Sequence, residues 1–181
     1  MIRLGLCCIF KKEPIAFRRA TATALSRLTT GERRRRLAAI CRHNAEMLHR
    51  SLEYCAEHGI GDFRINSQIL PLKTHPDVGY ELNDLPGGEE ITELFHQCGR
   101  LARRNDLRTT LHPDQFVVLS SPTPATVESS IRELEYQAEV AEWVGADVIN
   151  VHGGGGYGDK PSALRRFRST FRRLGAPVRR R

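Results

Sequence analysis

Three histidines in this chain each follow a short β-type run and meet a residue that breaks it. His112 ends Thr109-Thr110-Leu111 and is followed by Pro113. His75 lies in Pro71-Leu72-Lys73-Thr74-His75-Pro76. His152 ends Asp147-Val148-Ile149-Asn150-Val151 and is followed by four glycines. Imidazole nitrogen is a ligand for Zn, Mn, Fe or Ni, so three imidazoles at one rim can hold one metal ion or share a cluster. For any one histidine alone, a structural role is the commoner reading: capping a carbonyl, or filling space. All three, however, take the same topological place, at or just past a strand end. His43, His49, His58 and His96 are an internal control, since they fall inside predicted helices and read as structural.

Gln115 and Phe116 follow His112 closely. An amide can hydrogen-bond a base edge, and an aromatic ring can stack on or wedge beside an unstacked base. The plainer reading makes Phe116 the start of an apolar run with Val117 and Val118, and composition alone favours burying it. Gly153-Gly154-Gly155-Gly156-Tyr157-Gly158 satisfies G-x-G-x-x-G, yet a dinucleotide site is rejected. The run follows the fourth strand, a histidine precedes it, and no acid lies about 20 residues on. A Walker loop fails because Asp159 stands where its lysine belongs. These glycines read instead as places where backbone passes close to a metal or phosphate.

The elements that must position these residues alternate along the chain. Ile2–Cys8 reads as the first strand, and residues 9–30 as a long irregular connection, a length that is usually functional. Thr29 and Glu32 form a capping box for a helix that buries Leu37, Ile40, Cys41, Leu48, Leu52, Cys55 and Ala56 and ends at Gly59. Residues 62–66 are the second strand, followed by the loop with His75. Gly87-Gly88 opens a second helix with Ile91, Leu94, Phe95, Cys98, Leu101 and Ala102 inward. The third strand is 108–112. Thr123 then caps a helix begun by Pro124 and ended by Gly145. The fourth strand is 147–152, and Pro161 starts a helix with Leu164, Phe167 and Phe171 inward. Four β-α units imply parallel strands in an α/β fold. Functional-looking strand ends favour a (β/α)8 barrel, of which only half fits in 181 residues, over a doubly wound sheet.

Composition bounds the function further. The chain has 40% hydrophobic residues, and no apolar run approaches the roughly 18 residues of a membrane span. Met1-Ile2-Arg3-Leu4-Gly5-Leu6 is no signal peptide, and Cys7, Cys8, Cys41, Cys55 and Cys98 have no C-x-x-C spacing. Reduced thiols, three of them in the core, and a cytoplasmic location are expected. The net charge of +7 comes mainly from arginines at and after Arg165, where no acid falls, together with Arg33-Arg34-Arg35-Arg36. A nucleic-acid partner accounts for that charge, and so does a solvated helix face with a fraying tail.

At His112-Pro113-Asp114-Gln115-Phe116-Val117 and His152-Gly153 to Lys160 the chain resembles the UV damage endonucleases, metal-dependent repair nucleases on a TIM barrel. The likeness extends over nearly the whole chain. It includes Arg3-Leu4-Gly5, Phe63-Arg64-Ile65, Pro71 to Pro76, Ser120-Ser121-Pro122, Val127-Glu128 and Ser130 to Tyr136. The resemblance implies a DNA repair endonuclease that nicks the backbone immediately 5′ to ultraviolet photoproducts with a divalent metal cluster, typically Mn²⁺. It places His75, His112 and His152 on metal-binding histidines and Gln115 on a lesion-probing glutamine. Phe116 falls where a duplex-wedging tyrosine is usual. It further implies UV-damaged double-stranded DNA as partner and a monomer that acts away from membranes.

Leu6 stands where the family usually has tyrosine, Asp114 replaces a glycine, and Asn66-Ser67 replaces Ser-Ser. The expected domain, 1–181, is an incomplete TIM barrel that stops before the fifth strand and its metal-binding glutamate. The expected fragment is therefore inactive or nearly so by itself. Two other readings stand beside this one. The first is another metal-dependent barrel enzyme, such as an apurinic endonuclease or a sugar isomerase. The second is a residual DNA-binding fragment without catalysis.

Overall fold

Strands β1 (Gly5–Cys7), β2 (Asp62–Ile65), β3 (Arg108–Leu111) and β4 (Val148–Ile149) form one parallel sheet in the order 1-2-3-4. The computed structural model describes residues 2–181. Sequential order without a reversal is that of a barrel wall. A doubly wound sheet reverses direction at its switch point, so that alternative falls away. Helices α2 (Thr30–Glu57), α3 (Gly88–Arg104) and α4 (Pro124–Val144) lie side by side against the sheet, and α5 (Lys160–Arg173) follows β4. The architecture is four β-α units, half of a TIM barrel.

Local rules explain the helix ends. Thr29 Oγ1 accepts the Glu32 N–H, and Glu32 accepts the Thr29 N–H in return at 2.9 Å. Gly59 and Gly145 take left-handed backbone (φ +66 at each) just past α2 and at the C-cap of α4. Pro124 opens α4, although the Thr123 side chain makes no cap bond; its N–H goes to Ser121 Oγ instead. The connection 9–30 is not wholly irregular. It contains α1 (Ala22–Ser26), capped by Thr21 Oγ1 and anchored by the fully buried Leu25.

Period-two alternation sorts the strands into two faces. Phe63, Ile65, Leu111 and Ile149 are buried toward the helices. Phe63 alone represents about 2–3 kcal/mol of transfer free energy. The other face carries Asp62, Arg64, Thr110 and Val148, and it continues to His112, Asn150 and His152. Cys41, Cys55 and Cys98 are buried free thiols, as expected. Burial pushes Cys41 and Cys55 up to about 11 and Cys98 to about 12.

Several expectations are corrected. The strands are shorter than the apolar runs. β1 is confined to Gly5–Cys7 because β2 begins at Asp62, opposite Gly5, and Ile2 and Leu4 stay exposed. β4 has two ladder residues rather than six, although Asp147 N–H and Asn150 N–H still bond Thr109 and Leu111 carbonyls. Leu164 (52% exposed) and Phe171 (42%) do not turn inward from α5. That helix follows the last strand of the sheet, and its buried positions are Ala163 and Thr170. The arginine end is not a fraying tail. A short helix α6 (Ala176–Arg179) buries Val178, Arg180 pairs with Glu142, and the Arg181 carbonyl accepts the Ile149 N–H at 3.3 Å.

Candidate functional site

The loops after β2, β3 and β4 share the rim at the strand C-termini, and each carries one of the three histidines. His112 extends β3 on its open face, and His152 lies beyond β4. Their Nε2 atoms stand 2.9 Å apart, with ring centroids 4.5 Å apart. Gly154 makes this closure possible. Its φ is +78, and a Cβ there would lie 2.3 Å from Ser120 Oγ and 2.9 Å from Val118 Cγ1. The close approach that requires glycine is thus to the β3–α4 loop. Arg166 Nε donates to the Ser120 carbonyl at 2.8 Å and clamps the same junction from α5.

Arg64 on β2 completes the local geometry. Its Nη1 lies 3.3 Å from His112 Nδ1. Burial first, then His152 and Arg64, holds the His112 imidazole below its ordinary pKa, so the neutral, lone-pair form is favoured. Arg64 was not singled out in the sequence. The signal was present in Asp62-Phe63-Arg64-Ile65, where alternation puts Arg64 on the face opposite the buried Phe63.

His75 sits apart from that pair, in a tightly tied loop. Its Nδ1 accepts the Asp77 N–H at 3.1 Å. Thr74 Oγ1 donates to Glu133 at 2.8 Å, and the Leu70 N–H donates to Tyr136 Oη at 3.0 Å. Lys73 Nζ pairs with Glu81 at 2.6 Å and Glu139 at 3.1 Å. Asn44, fully buried on α2, donates to the carbonyls of Arg18 and Ile69 and so joins the first two rim loops. Burial pushes the Glu133 carboxyl up, partly offset by its bonds from Thr74 and Gln137. A recess of about 440 Å³ opens between this loop and the next, lined by His75, Asp114, Phe116 and Glu133.

Gln115 and Phe116 project from the rim, and Phe116 is 76% exposed. Phe116 is therefore not a core residue, contrary to the compositional expectation. Asp114 is the cause: its Oδ1 accepts the Phe116 N–H at 3.0 Å and its carbonyl accepts the Val117 N–H at 2.9 Å. This Asx-type turn sends Val117 and Leu119 inward and Phe116 out. Three of the four control histidines behave as structural groups, and the fourth, His49, stands 3.5 Å from the Glu53 carboxylate one turn along α2. His43, His58 and His96 bond the carbonyls of Ala16, Tyr54 and Trp143.

The donor chemistry of the pair fits a divalent cation in part. Two facing Nε2 atoms are suitable ligands. Among the described residues, however, no group of three or more His, Cys, Asp or Glu side chains is gathered closely enough to hold a metal ion. His75 does not join His112 and His152 in one cluster.

The family model for UV-endonuclease UvdE matches residues 2–181. This chain belongs to that family. The UV DNA damage endonuclease of Bacillus velezensis is 34% identical over 170 residues, covering 92% of this chain and 51% of the relative. That of Bacillus cereus strain Q1 is also 34% identical and covers 89% and 50%. The crystal structure of SacUVDE superposes with a TM-score of 0.85 at 26% identity, covering 99% of this chain and 59% of the other. The chain thus spans about half the length of the curated relatives it matches. In UvdE terms, the rim described above is the part of the fold these four β-α units supply.

Proposed function

We propose that this chain supplies the lesion-reading half of a DNA damage endonuclease. The parent reaction, in this reading, nicks the phosphodiester backbone 5′ to ultraviolet photoproducts. The observation that carries it is the juxtaposition on consecutive rim loops of a facing imidazole pair and an outward amide and aromatic ring. His112 and His152 would hold a divalent cation, manganese in this reading, through Nε2, and His75 would serve a neighbouring position. When bound, such a cation supplies activated water and charge neutralisation at the phosphodiester. Phe116 stacks against an unstacked base and Gln115 hydrogen-bonds base edges, holding the lesion open at the rim. Arg166 and the Ser120 carbonyl keep the two loops closed on one another. The partner is double-stranded DNA bearing ultraviolet damage, met by a monomer in the cytoplasm.

Two histidines without an anionic ligand are a short donor set, so the 181-residue chain is expected to bind damaged duplex and incise it poorly. The test is nicking of irradiated plasmid with Mn²⁺ beside gel-shift binding of the same irradiated and unirradiated duplex. Binding that prefers irradiated DNA, with little nicking, is the expected result. Nicking at a rate typical of full-length enzymes would refute the half-site reading, and equal binding of both duplexes would refute lesion recognition. A sugar-isomerase reading is disfavoured by the exposed Phe116, because a small-sugar site has no use for a wedge.

A further inference from the structure

The basic charge of the chain is concentrated on one connection. Residues 9–36, which run from the end of β1 through α1 into α2, hold nine lysines and arginines and two glutamates. This stretch alone therefore carries the net +7 of the whole chain, and the acids and bases of all other residues are equal in number. Many of the other arginines face carboxylates: Arg42 pairs with Glu90, Arg108 with Asp147, Arg173 with Glu128 and Arg180 with Glu142. Among the described residues, Arg18, Arg19, Arg27 and Arg33 to Arg36 enter no ion pair.

The topology puts that charge at the rim. α2 returns from the C-terminal end of β1 to the start of β2, which is parallel to β1. Its N-terminus therefore stands on the side of the strand ends, with the histidines and Phe116. Arg18 is fixed there. Its N–H donates to Asn44 Oδ1 at 2.8 Å and its carbonyl accepts from Asn44 Nδ2 at 3.0 Å, while the residue stays exposed. Two residues on, Ala20 lines the recess shared with Phe116. On α2, Arg33 and Arg34 lie one turn before Leu37 and Ala38, on the same stripe of the helix. Leu37 and Ala38 are buried and Arg34 is exposed, so the packed layer ends between them. Helix electrostatics does not account for the run. Four cations in the first two turns stand at the positive end of the helix, where they cost stability, and Glu32 is the only acid in the first turn.

We infer that this connection is a phosphate track, on which Arg18, Arg19, Arg33 and Arg34 hold the sugar-phosphate backbone of a DNA duplex beside the recess at Phe116. The inference rests on the DNA reading above and adds how the duplex is held. A guanidinium offers phosphate oxygens a planar fork of donors and keeps its charge. Contacts of this kind set register and supply affinity, and they carry no information on sequence or damage. The track and the ring thus divide the work: the arginines hold any duplex, and Phe116 discriminates. The continuity of the charge with the recess favours a duplex over an anionic lipid surface.

The experiment measures binding of irradiated and unirradiated duplex by the full chain as salt is varied. Each phosphate neutralised contributes about 0.9 to the slope of log K against log salt. Arg18→Gln/Arg19→Gln and Arg33→Gln/Arg34→Gln should each lower that slope by about two, with the same fractional loss on both duplexes. Arg33→Lys/Arg34→Lys keeps the charge and should keep the slope. Arg173→Gln/Arg180→Gln removes as much charge from paired arginines and should leave the slope unchanged. The thermal midpoint of Arg33→Gln/Arg34→Gln should hold or rise, since the lost cations stood at the positive end of α2, and this separates weaker binding from unfolding. An unchanged slope in either of the first two variants overturns the inference, and so does an equal drop in Arg173→Gln/Arg180→Gln. A loss confined to irradiated duplex overturns it too, because the arginines would then read the lesion. Loss of binding to phosphatidylserine vesicles with duplex binding intact would assign the surface to lipid instead. If the wild-type chain binds both duplexes alike, lesion recognition fails and the slopes still judge the track. If it binds neither, both readings fall.

Discussion

Lys73 Nζ lies 3.1 Å from a carboxylate oxygen of Glu139, joining the loop that carries His75 to α4. The lysine side chain is only 5% exposed, while Glu139 and its second partner Glu81 are far more open. The asymmetry makes a directional prediction. The Glu81→Gln/Glu139→Gln double variant leaves a buried ammonium without a counter-charge and should cost about 3 kcal/mol. Lys73→Met leaves two carboxylates that water can reach and should cost less than about 1 kcal/mol. Urea denaturation of both variants checks the order, and equal losses would contradict it.

Gly79 closes the same loop. Its N–H bonds the His75 carbonyl at 2.8 Å, and a Cβ there would fall 2.4 Å from that oxygen and 2.7 Å from the Lys73 carbonyl. Both obstacles are backbone, so the loop must open to admit a methyl group. Gly79→Ala should cost about 2 kcal/mol, in the range of an overpacked site, and displace His75. The thermal midpoint and the His75 ring shifts report the two effects separately.

Asp62 predicts a pH dependence. Its Oδ1 is buried without a hydrogen-bond partner. Burial first, and Asp147 after it, raises its pKa despite Arg108 and Arg3. Because the folded value lies above the unfolded one, the neutral carboxyl favours the fold, and that benefit is lost as pH rises through the folded value. Asp62→Asn should match the wild-type thermal midpoint below about pH 4, near the ordinary aspartate value. It should exceed it increasingly toward neutrality. A midpoint difference that stays flat across this range would disprove the assignment.

What was legible in the sequence were the features set by neighbours along the chain. Thr29 with Glu32, Gly59, Thr123-Pro124 and Gly145 each mark a helix end, and each lies where expected. Strand lengths were read less well, because a ladder ends where its neighbour ends: Ile2 and Leu4 have strand-like composition but lie outside the ladder, although the Leu4 carbonyl still accepts the Gly61 and Asp62 N–H groups. The inward face of α5 failed for a related reason, since periodicity gives a stripe but not what the stripe meets. The histidine pair was legible as two strand-end residues. The contact of Arg64 with His112 depends on the register of β2 against β3, which no local pattern contains. Phe116 was misplaced because of the turn at Asp114, whose side chain accepts the Phe116 N–H and whose carbonyl accepts the Val117 N–H, ending the apparent strand run with the ring outward.

Thiol chemistry offers a check on the core. Cys7 is exposed and Cys8 partly so, while Cys41, Cys55 and Cys98 are buried with raised pKa values. A disulfide reagent at neutral pH should modify Cys7 rapidly and Cys8 slowly. The other three should react only with unfolding. Fast modification of Cys41 or Cys98 in native protein would mean that α2 and α3 do not pack as described.

The exposed ring of Phe116 separates binding from stability. A side chain 76% open to solvent contributes little to the fold, so Phe116→Ala should leave the thermal midpoint within about a degree of wild type. Base–aromatic stacking is worth about 1–3 kcal/mol, so the same change should weaken binding of irradiated duplex by roughly tenfold. Phe116→Tyr keeps the ring and should retain binding. Asp114→Ala tests the geometry beneath it: without the side-chain bond to the Phe116 N–H, and without the backbone freedom of a glycine, the ring loses its fixed exit, and discrimination between irradiated and unirradiated duplex should fall although the aromatic group remains. Gel-shift titrations of the three variants on both duplexes decide the matter, and wild-type discrimination by Phe116→Ala would remove the ring from lesion recognition.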